Sequence, residues 1–211
     1  MPQNEQPFTK KGGHKRGKDG EKRDRILSAA ISVFAQKGFY ATRVSEIAKA
    51  AGVADGTIYL YFENKEDVLI SIFRDRIGKL VEVLKREVKK ADSVEDGVRR
   101  IVDLQLGLLE GERDLAEVIT VNLRQSSSLL KQYAVPLFRE YLDVIAGVIA
   151  RGQESGAFRQ DLNPKIVARA LWGGLDGIAL TWALTDADPS KLRRAAQQYA
   201  TLFLEGVVTR P

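Results

Sequence analysis

Apolar residues recur at three- and four-residue spacing along most of the chain, and no period-two run of β-branched residues is long enough to predict a strand. From Arg23 the residues Ile26, Leu27, Ala30, Val33 and Phe34 share one helix face, and Gly38 after Lys37 is a C-terminal stop. Ser45 can cap a short second helix through Ala51, with Ile47, Ala48 and Ala51 inward and Gly52 closing it in a left-handed conformation. A third short helix is predicted over residues 55–62. Asn64 caps a long fourth one that reaches Lys90, with Glu66 and Asp67 in its first turn, where the helix dipole favours acids. Further helices are predicted from Ser93 to about residue 109, over 115–123, and over 129–154 with Gly156 beyond. Asn163-Pro164 and Asp188-Pro189 each pair a capping side chain with an N1 proline, and start helices over 164–184 and 189–208. The fold class is therefore all-α, about nine helices. Residues 1–20 read as a disordered basic tail, 21–66 as a three-helix unit and 67–211 as a larger helical one.

Composition narrows the function. With 44% hydrophobic residues in 211, the chain can bury a sizeable core. It has no cysteine, which removes disulfides and thiolate zinc sites and suits a reducing cytoplasm. The single histidine, His14, lies in the polar tail, so imidazole catalysis and imidazole metal sites drop out; no metal and no cofactor is expected, and no nucleophile–base pair points to an enzyme. The charged start is unlike a signal peptide, and no apolar run is long enough to span a membrane, so the expected protein is soluble and not exported. Residues 1–65 hold twelve Lys/Arg against seven Asp/Glu, whereas residues 66–211 are balanced at twenty-one each. The excess positive charge marks the N-terminal third as the part that meets a polyanion, although basic tails also serve only for solubility.

The stretch GVADGTIYLYFENKEDVL, Gly52 to Leu69, carries the motif. A helix, a turn around a glycine and a second short helix form a helix-turn-helix, whose second helix enters the DNA major groove. Gly56 and Thr57 at its exposed end let backbone and hydroxyl approach bases or phosphates. Ile58 and Phe62, four apart, can anchor it to Phe34, Val44 and Ile47. Tyr59 and Tyr61 point elsewhere, their hydroxyls able to reach phosphates while the rings pack on sugar or a thymine methyl, and Lys65 adds a charge. The same aromatics also suit a plain core.

Residues 42–69, TRVSEIAKAAGVADGTIYLYFENKEDVL, resemble the DNA-binding domain of the TetR family of bacterial repressors. The resemblance implies a homodimer whose N-terminal helices hold a pseudo-palindromic double-stranded operator while a C-terminal domain binds a small molecule that releases it. It places Thr42, Thr57, Tyr59, Tyr61 and Lys65 at phosphate or base contacts. Many members carry a basic residue at the front of the second helix; here Ser45 stands there, with Arg43 two residues earlier, which puts that contact in doubt. Lys15, Arg16 and Lys18 of the tail can add phosphate or minor-groove contacts or simply be solvated.

The last two helices are the natural dimer pair. Gly173, Gly174 and Gly177 beside Trp172 allow close backbone approach, either for packing or for a ligand. The runs EVITVNLRQSSSLL, EYLDVIAGVIARGQESGAF and LDGIALTWALTD are similar to the acyl-CoA-responsive repressors of fatty-acid degradation within the TetR family. That similarity implies a long-chain acyl-CoA effector. Burying its methylenes at about 0.8 kcal/mol each supplies ample binding energy. Leu104, Leu108, Phe138, Tyr141, Leu142, Ile145, Leu171, Trp172, Leu175 and Trp182 are candidates to line its tunnel, or to be ordinary core; Asp176 is a polar candidate beside them. Arg124, followed by Gln125, is the candidate for the CoA phosphates, against a structural pairing with Asp103 or Asp176. A TetR-like repressor answering to another hydrophobic molecule is the alternative.

Overall fold

The computed structural model describes residues 13–122, 135–185 and 188–209, and every regular element among them is helical. Helices α1 (Gly13–Lys37), α2 (Val44–Ala51), α3 (Asp55–Ile58) and the long α4 (Lys65–Lys89) are followed by α5 (Val94–Gly107), α6 (Arg113–Glu117), α7 (Val135–Glu154), α8 (Pro164–Ala183) and α9 (Pro189–Val207). The polar signals at the helix starts act as capping groups. Asn64 Oδ1 accepts from the Asp67 N–H at 2.8 Å and starts α4, and Ser93 Oγ accepts from Asp96 at 3.1 Å and starts α5. Asn163 and Asp188 do the same before the N1 prolines of α8 and α9. Each such cap contributes about 1 kcal/mol by satisfying a donor the helix leaves open.

Four local expectations are corrected. The tail expected to reach residue 20 is helical from Gly13 onward. A tertiary contact holds the end of what composition marks as tail: the Tyr61 hydroxyl donates to Asp19 at 3.2 Å, and just beyond it the Arg23 guanidinium lies 5.5 Å from the Phe62 ring centre. Residues 1–12 lie outside the described residues. Helix α2 is capped by Arg43 rather than Ser45, because Glu46 at the third position accepts from the Arg43 N–H at 2.8 Å and so fixes the start two residues earlier. Regular α3 ends at Ile58, and the chain continues in tighter turns, with Leu60 N–H donating to Thr57 and Tyr61 N–H to Ile58. Helix α6 passes after Glu117 into a π-helical turn, Val118–Asn122, instead of running on as a regular helix.

Helices α1 to α3 and the start of α4 enclose Phe34, Phe39, Ile47, Ile58 and Phe62, each no more than 2% exposed. Gly52 ends α2 at φ 63°, a left-handed conformation that favours glycine, and turns the chain into α3. In the larger part α5 packs against α4 and α9, and α7 packs along α8. The two parts meet twice. Helix α4 runs through both, and α6 with its π turn packs on α1, where Asn122 Oδ1 lies 4.0 Å from the position a Cβ on Gly38 would take. On α8, Gly174 lets Tyr199 of α9 lie against the backbone: a Cβ there would sit 2.2 Å from the tyrosine oxygen, which donates to the Ala170 and Leu171 carbonyls.

Candidate nucleic-acid interface and ligand cavity

The reading element divides its side chains by depth. Ile58 and Phe62 are buried, while Tyr59 is 58% exposed and Leu60 79%. A Cβ added at Gly56 would meet nothing within 4 Å, so packing inside the protein does not require glycine there. Thr57 is half-buried, and Arg43 and Ser45 are exposed at the front of α2. Leu60 escaped the sequence reading, although a leucine out of phase with the Ile58 and Phe62 anchors was the available signal.

Three expected contact residues are engaged inside the protein. Thr42 is buried, and its hydroxyl donates to the Gly38 carbonyl at 2.8 Å. The Lys65 ammonium donates to the carbonyls of Phe39 at 2.7 Å, Tyr40 at 3.2 Å and Thr42 at 2.9 Å, which uses every proton it has. Tyr61 is half-buried with its hydroxyl on Asp19, and burial together with that carboxylate pushes its pKa up. Thr42 and Lys65 thus shape the turn that presents α2 instead of offering free donors to a phosphate. Lys37 beside Glu46, reinforced by the Arg43 N–H, holds the Glu46 carboxyl below the usual range, so it stays ionised at the α2 start.

The second feature is a cavity of about 230 Å³ in the larger part. Phe73, Ile77 and Leu80 of α4 form one wall, Gln105 of α5 with Leu108 and Leu109 a second, and Phe138 and Tyr141 of α7 a third. Trp172, Asp176 and Ala179 of α8 and Ile119 and Thr120 of the π turn complete it, with Val135 at the start of α7. Phe138 and Trp172 meet edge to face with centroids 4.5 Å apart. Tyr141 is buried and donates its hydroxyl to Gln105 Oε1; burial pushes its pKa far up, with the Tyr199 and Asp176 charges adding, so it remains a neutral phenol.

Of the expected tunnel residues, Leu108, Phe138, Tyr141, Trp172 and Asp176 face this cavity. Ile145, Leu171 and Leu175 are fully buried core, and Leu104 and Leu142 pack on that core without lining the cavity. Trp182 is buried near a separate groove between α8 and α9. Arg124 and Gln125 lie outside the described residues. The α4 wall was missed, although Phe73, Ile77 and Leu80 recur at helical spacing, because that period marks a buried face without saying what it faces.

Residues 26–72 match the family described as bacterial regulatory proteins, tetR family, and residues 73–206 match the YsiA-like protein, C-terminal region. The fatty acid metabolism regulator protein of Bacillus subtilis (strain 168) is 36% identical over 161 residues, which cover 76% of this chain and 83% of that one. The chain belongs to the TetR family. Two solved TetR-type structures are similar over nearly all of it. The fatty acid degradation regulator FadR from Bacillus halodurans has 35% identity and a TM-score of 0.82, covering 94% of this chain and 98% of its own. The transcriptional regulator FadR from Bacillus subtilis, solved in complex with stearoyl-CoA, has 33% identity and a TM-score of 0.80, covering 87% and 98%. A TetR-family chain of this kind is a DNA-binding transcription regulator and not an enzyme. The two family matches meet inside α4, between Ile72 and Phe73, and Phe73 is the first α4 side chain in the cavity wall. No helix among the described residues is long and apolar enough to cross a membrane.

Proposed function

We propose that the protein is a homodimeric repressor of fatty-acid degradation genes, held on a pseudo-palindromic operator and released by long-chain acyl-CoA. One observation carries the reading: the apolar cavity is walled by Phe73, Ile77 and Leu80 of the same helix that opens at Lys65 in the DNA-binding part. The cavity of about 230 Å³ is smaller than the roughly 300–1,000 Å³ of ligand pockets, so an entering chain pushes its walls apart and α4 is one of them. The π turn supplies a second lever, since Ile119 and Thr120 line the cavity while Asn122 abuts the end of α1.

On the DNA side, Arg43, Ser45, Gly56, Thr57 and Tyr59 are the proposed contacts, joined by Leu60 on apolar base edges, with Tyr61, Thr42 and Lys65 positioning them. Residues 21–66 with the α1 extension form the DNA-binding part, and the remainder binds effector and partner. Arg124 is proposed, on its chemistry alone, to meet the CoA phosphates. The dimer forms through α8 and α9, whose Ile166 and Leu202 are 66% and 68% exposed and whose Gly173 and Gly177 face open space. Two copies then present reading helices about 34–36 Å apart, one turn of the duplex. Ligand entry needs only about 1–3 kcal/mol of coupling to change that separation.

Gel-shift binding to a pseudo-palindrome upstream of the gene or of neighbouring β-oxidation genes tests this, with palmitoyl-CoA, free palmitate and CoA added separately. Release by the thioester alone is the expected result. Tight binding that none of the three disturbs would leave a repressor and remove the acyl-CoA.

A further inference from the structure

The cavity wall is apolar except for Gln105, Thr120, Tyr141, Asp176 and the indole N–H of Trp172. The Thr120 hydroxyl donates to the Ala116 carbonyl at 2.7 Å, and the Tyr141 hydroxyl donates to Gln105 Oε1. Asp176 already has a partner of its own. Gln105 Nε2 carries two N–H groups, and neither donates to another of the described residues. Because Tyr141 occupies the amide oxygen, the nitrogen is the end left for a ligand. Tyr141 stays protonated, so this orientation does not change with pH in the working range.

We propose that Gln105 Nε2 is the donor that binds the thioester carbonyl oxygen of the effector, with Tyr141 as the residue that positions it. The assignment rests on the acyl-CoA reading above. A saturated acyl chain inside an apolar wall presents one acceptor, the thioester carbonyl, and no donor. Among the described residues the cavity presents two side-chain donors that no other residue engages, the Gln105 amide and the Trp172 indole N–H, and the amide is the one whose orientation is set, by Tyr141 on its oxygen. A buried amide left without a partner on binding is unfavourable, which makes the site discriminate against ligands that lack the carbonyl.

The test compares palmitoyl-CoA with S-hexadecyl-CoA, the thioether that keeps the chain, the sulfur and the CoA but has no carbonyl. Calorimetric binding is measured on full-length wild type, Gln105→Met and Gln105→Glu. The glutamate variant keeps the acceptor for Tyr141 and loses the amide donor, which separates holding Tyr141 from binding the carbonyl. Wild type is expected to prefer the thioester by roughly three- to tenfold, the size of one neutral hydrogen bond. Both variants are expected to bind the two ligands equally. Each ratio is taken within one protein, so a variant of lowered stability still reports, and ligand-free operator binding confirms that it folds. Equal affinities in wild type, or a preference that survives in both variants, overturn the assignment while leaving the acyl-CoA reading intact. Wild type that binds neither ligand overturns both.

Discussion

Lys65 Nζ donates to the Phe39 carbonyl at 2.7 Å while lying 4.6 Å from the centre of the Phe39 ring. The same ammonium reaches the Tyr40 and Thr42 carbonyls, so the first residue of α4 closes the turn that leads into α2. A charge that reads as a phosphate ligand in one dimension is a clasp in three. The clasp also ties the orientation of α2 and α3 to the helix that walls the cavity, which is what a ligand-driven change in operator affinity requires.

Lys65→Met is therefore expected to act through folding. It leaves carbonyls without their charged donor and costs about 2 kcal/mol, read as a lowered urea midpoint. Operator affinity falls with it, but the slope of log affinity against log salt stays at the wild-type value. Arg43→Ala, at an exposed proposed phosphate contact, reduces that slope by about 1 per half-site without a loss of stability. A reduced slope in Lys65→Met would return it to the list of direct contacts.

Tyr59→Ala has the opposite signature. The side chain is exposed and is not one of the buried core residues, so stability changes by less than about 0.5 kcal/mol. Operator affinity drops roughly tenfold or more, because each half-site of a dimer loses a contact. Parallel melting curves and gel shifts check both halves of the statement.

The helix inventory was legible because its punctuation is local: Asn64, Ser93, Asn163 and Asp188 cap what they were expected to cap. The division of the reading element into buried Ile58 and Phe62 and exposed Tyr59 follows from the helical period alone. What was hidden depends on partners distant in the chain. Gly and Lys at residues 10–20 read as tail until Asp19 meets Tyr61. Leu175 and Trp172 give the same apolar signal, yet one fills the core and the other lines a void. The clasping role of Lys65 needs carbonyls of three residues to converge more than twenty positions away.

Gly174→Ala is predicted to destabilise the α8–α9 pair. The added methyl would sit 2.2 Å from the Tyr199 oxygen, and the tyrosine is held there by two backbone carbonyls, so it does not simply swing aside. The expected cost is about 1–3 kcal/mol. Tyr199→Ala in the same chain restores part of it, and non-additivity in a double-mutant cycle by urea unfolding is the readout. Gly78→Ala on α4, where an added Cβ would meet nothing within 4 Å, serves as the control that stays folded.

Acid weakens the DNA-binding part through Glu46. Its folded pKa is depressed, first by Lys37 and then by the Arg43 N–H, so its contribution is fully present above the unfolded value and is lost as pH falls through the folded one. Wild type is expected to exceed Glu46→Gln in urea midpoint at pH 7, and the gap to close between about pH 5 and pH 3. A gap that persists unchanged at pH 3 would show that the carboxylate's charge is not what the site uses.

Filling the cavity separates effector response from operator binding. Leu108 lies on the cavity wall just after α5 and is none of the proposed DNA contacts, so Leu108→Trp occupies ligand space without altering the reading element. The extra volume projects into an existing void instead of into packed core, which keeps the cost of overpacking at the low end of about 1–3 kcal/mol. Ligand-free operator affinity is expected to remain within about twofold of wild type, a difference under 0.5 kcal/mol. The palmitoyl-CoA concentration needed for half release is expected to rise at least tenfold, about 1.4 kcal/mol of lost binding. Release at the wild-type concentration would place the acyl chain outside this cavity. Loss of operator binding without any ligand would mean that a filled cavity alone imposes the released state, and would locate the switch in the separation of the α4 and α5 walls.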